Sequence, residues 1–259
     1  MEKVKIVFFD IDGTLLDDDK KLPSSTKEGI KALQENGTFV AISTGRAPFM
    51  FEYLREELDI DTYVSYNGQY VVFENEVIYK NPLSETQLAQ LHKDATNHTN
   101  TPMIFMTEKT MKASVDHHER IEEAMGSLHF PHPEKDDTFY RNREIYQSLL
   151  FCTDEEQKLY EGKYGQFRFI RWHEYSLDVL PKGGSKAQGI KKLIERAGFK
   201  LEDIYAFGDG LNDVEMLETV GHGIAMGNAM DEVKKFADYV TDDVNDDGIY
   251  KGLKHFNLI

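Results

Sequence analysis

The sequence has one cysteine, Cys152, in 259 residues. No disulfide can form within the chain, and a reducing, cytosolic setting is expected. Leu149, Leu150 and Phe151 precede that cysteine, which predicts a buried thiol in a strand. No run approaches the ~20 apolar residues of a membrane span, so a membrane partner is not expected. The start, MEKVKIVFFDIDG, lacks a signal-peptide layout, because its apolar run is short and contains Asp10. Basic residues are scarce: 30 Lys and Arg stand against 46 Asp and Glu, a net charge of -16. Such a surface repels a polyanionic backbone, which argues against a nucleic-acid partner. A small anion remains possible at a locally positive site.

What is present begins with FFDIDGTLLDDD at residues 8–19. An apolar strand runs into Asp10, with Asp12 one residue beyond its neighbour. Carboxylates repel one another and resist burial, so this placement calls for a compensating positive charge. Residues 4–9 read as a buried strand, mostly β-branched and aromatic. Ser25 to Glu28 predicts a capping box, with Ile30 and Leu33 at helical spacing and Asn36-Gly37 as the stop. A strand at 38–43, a helix from Pro48 through FMFEYLREEL and a strand at 62–66 follow. This alternation predicts a parallel sheet covered on both faces. QYVVF and EVIYK, joined at Glu74-Asn75, predict an appended hairpin.

The middle of the chain changes character. Ser84 and Gln87 predict a second capping box, opening a helix to about residue 96. MIFMT, MKASV, SLLFC, FRFIRW and YSLDVL read as strands, with a polar, His-rich stretch at 116–147. Clustered strands without steady alternation predict an α+β insert, limited near Pro82 and Pro181. A helix at 185–197, stopped by Gly198, and a strand at 204–208 resume the alternation. The expected fold is α/β: a doubly wound, Rossmann-like parallel sheet from residues 1–81 and 182–259, with an α+β domain inserted at 82–181.

In such sheets, sites gather beyond the carboxyl ends of the strands. Asp10 and Asp12, then Ser43-Thr44-Gly45-Arg46, then Asp209, Asn212 and Asp213 all follow predicted strands, and Lys186 opens a helix. Crowded carboxylates attract a hard divalent cation such as Mg²⁺, while lysine, hydroxyl, amide and loop N–H groups suit phosphoryl oxygens. In the insert, His117, His118, His129 and His132 match no compact zinc spacing. Arg141, Arg143, Arg168 and Arg171 suit either an anionic substrate or solvated strand edges, and Asn67-Gly68 suits either the pocket or a tight turn.

DIDGT at 10–14, STGR at 43–46, KGGSK at 182–186 and GDGLND at 208–213 resemble the four ordered motifs of the haloacid dehalogenase superfamily. The stretch IAMGNAMDEVKKFADYVTDDVNDDGI resembles its Cof-type sugar-phosphatase branch, and the insert sits where that branch carries its cap. The resemblance implies a phosphatase of small phosphorylated metabolites. Asp10 would be the nucleophile and Asp12 the acid and base. Mg²⁺ would be held by Asp10, the Asp12 carbonyl and Asp209. Phosphate would be held by the Ile11 amide, Thr44, Gly45, Lys186 and Asn212. Asp213 would orient ligands or Lys186, and Arg46 would touch substrate or a carboxylate. A phosphosugar mutase of the same superfamily, and a phospho-accepting module without turnover, are the rival readings.

Overall fold

A computed structural model describes residues 4–259; the first three residues of the expected core lie outside the described residues. The chain divides into two compact units. One holds the described residues up to Arg46, Met50–Tyr79 and Ser185–Ile259; the other holds Ala47–Phe49 and Lys80–Gly184.

The first unit opens with β1 (Ile6–Phe9), α1 (Ser24–Glu35), β2 (Phe39–Ser43), α2 (Glu52–Leu58), β3 (Thr62–Ser65), β4 (Tyr70–Phe73) and β5 (Glu76–Lys80). The second carries α3 (Glu85–Asp94), β6 (Met103–Met106), β7 (Met111–Ala113), α4 (Glu119–Ser127), β8 (Gln147–Leu150), α5 (Asp154–Glu161), β9 (Phe167–His173) and β10 (Ser176–Pro181). The chain then completes the first unit with α6 (Lys186–Ala197), β11 (Ile204–Gly208), α7 (Val214–Thr219), β12 (His222–Ala225), α8 (Asp231–Lys234), β13 (Tyr239–Val240) and α9 (Gly248–His255).

Among the described residues, the first unit forms an eight-stranded sheet in the order β13-β12-β11-β1-β2-β3-β4-β5. The pairings from β13 to β3 are parallel, and β4 returns antiparallel to β3. All four residues of β1 are buried, as expected of a strand with both faces covered. On one face, Ile6, Phe8, Ala206 and Val64 pack with Ile190 and Leu193 of α6 and Leu217 of α7. On α1, Gly29 lies close against α9: a Cβ there would lie 3.0 Å from the end of the Leu253 side chain. The β4–β5 turn takes left-handed backbone at Glu74 and Asn75, with φ of 48° and 61°.

The second unit is a five-stranded sheet in the order β7-β6-β8-β10-β9, antiparallel throughout. Its apolar cluster joins Leu88 and Leu91 of α3 to Phe105, Leu150, Leu177 and Val179 of the sheet.

Several local expectations are corrected. No side-chain cap bond forms at the start of α1 or α3. Pro23 precedes α1, so the helix opens one residue before the expected serine cap. The helix expected from Pro48 is interrupted: a turn at Pro48–Met50 is followed by Phe51 at φ -130°, and only then by α2. Two helices went unread in the second unit. α4 lies in the His-rich stretch and uses the His118 ring as its N-terminal acceptor; α5 has a true capping box between Thr153 and Glu156. Cys152 is buried as expected, but it lies just past the end of β8 rather than within a strand. Arg171 is no solvated edge residue: its guanidinium donates to the carbonyls of Cys152, His173 and Glu174 and to Gln157.

Candidate active site

The parallel register sets the level of the site. Phe9 of β1 lies opposite Phe207 of β11 and Ile42 of β2. The next residue on each strand is therefore Asp10, Gly208 or Ser43, and the three emerge at one edge. Asp10 extends the ladder by one bond, its N–H donating to the Phe207 carbonyl at 3.0 Å. On the far side of β2, Ser43 pairs with Val64 of β3, which brings Thr44 and the turn after Ser65 to the same edge.

The Lys186 ammonium is the hub. It opens α6 behind the Ser185 cap, is fully buried, and donates to Asp10 Oδ1 at 2.6 Å and Asp213 Oδ1 at 2.7 Å. The other oxygen of Asp213 accepts the N–H groups of Asp209 at 3.1 Å and Gly210 at 2.9 Å. Asp209 in turn accepts the Thr14 hydroxyl at 2.7 Å. Gly13 has φ +78°, and a Cβ there would lie 2.3 Å from Asp209 Oδ2, so only glycine lets this turn approach the carboxylate.

Asp12 faces a different set of partners. The Arg46 guanidinium grips both its oxygens, Nε at 2.8 Å and a terminal nitrogen at 2.6 Å, and Lys20 adds a third bond at 2.7 Å. Thr44 is buried; its hydroxyl accepts the Arg46 N–H at 3.1 Å, and its own N–H reaches the Val64 carbonyl. Ile11 is buried between the two acids, its carbonyl accepting from Thr14 and Leu16. Asn212 donates its side-chain amide to Asn67 at 3.2 Å, and Gly45 lies against that same Asn67 amide.

The electrostatics separate the two aspartates. Burial pushes Asp10 well above the usual carboxylate range, the charges of Asp213, Asp209 and Asp12 add to this, and Lys186 opposes it. Burial likewise raises Asp209 to about 6, helped by Asp213 and resisted by the Thr14 bond. Burial also works against ionised Asp12, yet the bonds and charges of Arg46 and Lys20 hold it below its ordinary value. Lys186 stays cationic despite burial, because Asp10 and Asp213 both favour the ammonium.

Oxygens of Asp10, Asp209 and Asp213 lie within 4.8 Å of one another, the one such cluster found among the described residues. With all three ionised, the carboxylates would exceed the Lys186 ammonium by two negative charges. A divalent cation supplies that charge, and an all-oxygen donor set suits Mg²⁺. The residues present therefore fit such an ion.

Every side chain expected at the site lies in this edge network, including Arg46, whose partner is a carboxylate. Lys182, the other lysine of the KGGSK stretch, is exposed and belongs to the other unit. Asn67, named with Gly68 as suiting either the pocket or a tight turn, is both: its turn lies against the site. Three further residues were not singled out from the sequence. Thr14 stood inside a quoted motif. Lys20 was obscured by the acidic run before it. Asn228, which donates to the Gly13 carbonyl at 2.8 Å and accepts from the Val244 N–H, lay in the GNAMD segment.

Comparison with known proteins gives this geometry its family. A profile of the haloacid dehalogenase-like hydrolases matches residues 7–253. The chain belongs to that family. Within it, the chain falls in the Cof-type branch. YkrA of Bacillus subtilis (strain 168), named as a candidate phosphatase, is 53% identical over 255 residues, with 98% of each chain covered. The solved structure of a hypothetical protein from Geobacillus kaustophilus HTA426 is 54% identical, with a TM-score of 0.95, covering 99% of this chain and 100% of that one. The HAD subclass IIB sugar phosphatase BT4131 is 34% identical, with a TM-score of 0.87 and the same coverage. The chain is thus a phosphatase of the haloacid dehalogenase type, an α/β hydrolase with a second, antiparallel sheet. No helix among the described residues is long and apolar enough to cross a membrane.

Proposed function

We propose that the chain is a Mg²⁺-dependent phosphatase that hydrolyses small phosphate monoesters, sugar phosphates or related metabolites, through an aspartyl-phosphate on Asp10. The observation that carries this reading is the buried Asp10–Lys186–Asp213 contact set beside Asp209, which leaves a charge deficit suited to a divalent ion. The sugar-phosphate class is supported by the likeness to BT4131, and the insert expected at residues 82–181 is assigned the role of substrate-selecting cap.

A carboxylate oxygen of Asp10 attacks phosphorus in line, and the ester oxygen departs as the P–O bond breaks. Asp12, held ionised in the free site by Arg46 and Lys20, takes up a proton from solvent as the substrate enters and gives it to that leaving oxygen. In the second step Asp12 takes a proton from water, whose oxygen displaces Asp10 from phosphorus and frees inorganic phosphate. Lys186, the Thr44 hydroxyl, Asn212 and the N–H groups of Ile11 and Gly45 hold the phosphoryl oxygens as charge shifts among them. Asp10, the Asp12 carbonyl and Asp209 would hold Mg²⁺, which when bound offsets the phosphate charge and the crowding of carboxylates. Asp213 has both oxygens engaged by Lys186 and by loop N–H groups, so its role is to orient those groups. Arg46 and Lys20 keep Asp12 ionised and placed until a substrate enters.

A panel of phosphate monoesters assayed with Mg²⁺, beside Asp10→Asn and a chelator control, tests the reading. Wild type is expected to release phosphate, with Asp10→Asn slower by at least about 10³-fold. Equal turnover by the two proteins refutes the nucleophile. Isomerised sugar phosphate in place of free phosphate identifies a mutase.

A further inference from the structure

The segment Ser65–Gln69 belongs to none of the four motifs, yet it touches three of them. The Asn67 N–H donates to the Thr44 carbonyl at 3.0 Å, and the Tyr66 N–H donates to the Arg46 carbonyl at 3.2 Å. Asn67 Oδ1 accepts the side-chain amide of Asn212 at 3.2 Å, across 145 residues of sequence. A Cβ on Gly68 would lie 2.0 Å from the carbonyl of Ser185, the cap of the helix that starts with Lys186. A Cβ on Gly45 would lie 3.0 Å from Asn67 Nδ2, so the amide lies close against the loop after β2.

The backbone here is costly to hold. Tyr66, Asn67 and Gly68 have φ of 53°, 48° and 93°, three successive left-handed residues. A fully buried tyrosine in that region is disfavoured, and such strain collects where a site must be held in one geometry. Gln69 ties the turn internally by donating to the Asn67 carbonyl at 3.1 Å.

We propose that Asn67 is a positioning residue of the phosphate site. It accepts one N–H of the Asn212 amide and so turns the other toward the phosphoryl oxygens, while its backbone fixes the Thr44–Arg46 loop. The proposal rests on the phosphatase reading, in which Asn212 holds phosphate. The side chain and the turn are separable. Glycine adopts left-handed backbone freely, so Asn67→Gly keeps the turn and removes only the amide.

The test is a double-mutant cycle of Asn67→Gly and Asn212→Ala, read as kcat/KM on a hydrolysed monoester and as the midpoint shift that inorganic phosphate produces on thermal unfolding. Asn67→Gly is expected to lower kcat/KM by roughly 10-fold or more and to weaken the phosphate shift. In an Asn212→Ala background it adds little, because its target is already gone. Additive losses, or an Asn67→Gly enzyme equal to wild type, overturn the proposal and leave the phosphatase reading intact. Should Asn67→Gly unfold, Asn67→Asp keeps both the turn and the acceptor oxygen. Asn212→Ala must then cost as much in that background as in wild type; a smaller loss overturns the proposal. A wild-type protein with neither hydrolysis nor a phosphate shift sinks both readings together.

Discussion

Asp10 and Asp12 are separated by one residue, yet their surroundings differ in sign. Asp10 lies among carboxylates with one ammonium, and Asp12 lies under two cations. Neither environment follows from DIDGT alone, since Lys186, Arg46 and Asp213 come from distant segments. Gly13 is the residue whose identity the geometry restricts most directly. Gly13→Ala places a methyl against Asp209 and strains a φ of +78°. We expect it to lose most phosphatase activity and Mg²⁺ response, with lower stability, as read by steady-state kinetics and thermal unfolding. Cys152 illustrates an inert residue. Burial pushes its thiol up to about 11, against the pull of the Arg171 guanidinium. The native protein is therefore expected to react slowly with a thiol reagent at pH 8, reaching one equivalent only on denaturation. Rapid native labelling would contradict the burial.

Helix ends were the least readable elements. Ser25 and Ser84 satisfy the pattern of a capping box, but neither forms one, because the pattern records which residues could bond and not where the first turn begins. The box that does form, Thr153 with Glu156, follows directly on the strand sequence SLLFC and was not read as a helix start. Thr153→Ala is expected to destabilise the protein by about 1 kcal/mol in urea unfolding, without changing kcat. The strands of the first unit were far more legible. Near-continuous apolar runs such as IVFF and IYAFG carry their own length and burial.

At the scale of the whole molecule, the carboxylate cluster is a local instability kept for chemistry. Asp10 and Asp213 are buried and Asp209 half-buried where the three meet, and among the described residues Lys186 is the one cation paired with them. Mg²⁺ should therefore raise the unfolding midpoint in a concentration-dependent way, with a stabilisation of about 2.7 kcal/mol at a hundredfold excess over its dissociation constant. Asp209→Asn should remove that response. In chelator it should unfold at the same temperature as wild type or higher, since one repelling charge is gone. A variant that keeps the full Mg²⁺ shift would exclude Asp209 as a ligand. The surplus of acids over bases in the whole chain says nothing of this, because most of those charges are solvated.

The order of strands and helices in the first unit, and the set of groups at their carboxyl ends, were determined by the sequence itself. Apolar periodicity and turn residues act over a few positions and can be read there. Which groups pair was decided by the tertiary structure. Arg46 reaches Asp12 across 34 residues, Lys186 reaches Asp10 across 176, and Asn67 reaches Asn212 across 145. Those bonds depend on the register that sets β1 level with β2 and β11, and on a strained turn after β3. Hydrogen bonds form only within about 3 Å, so a pairing between distant segments exists only once the sheet has fixed where each segment ends.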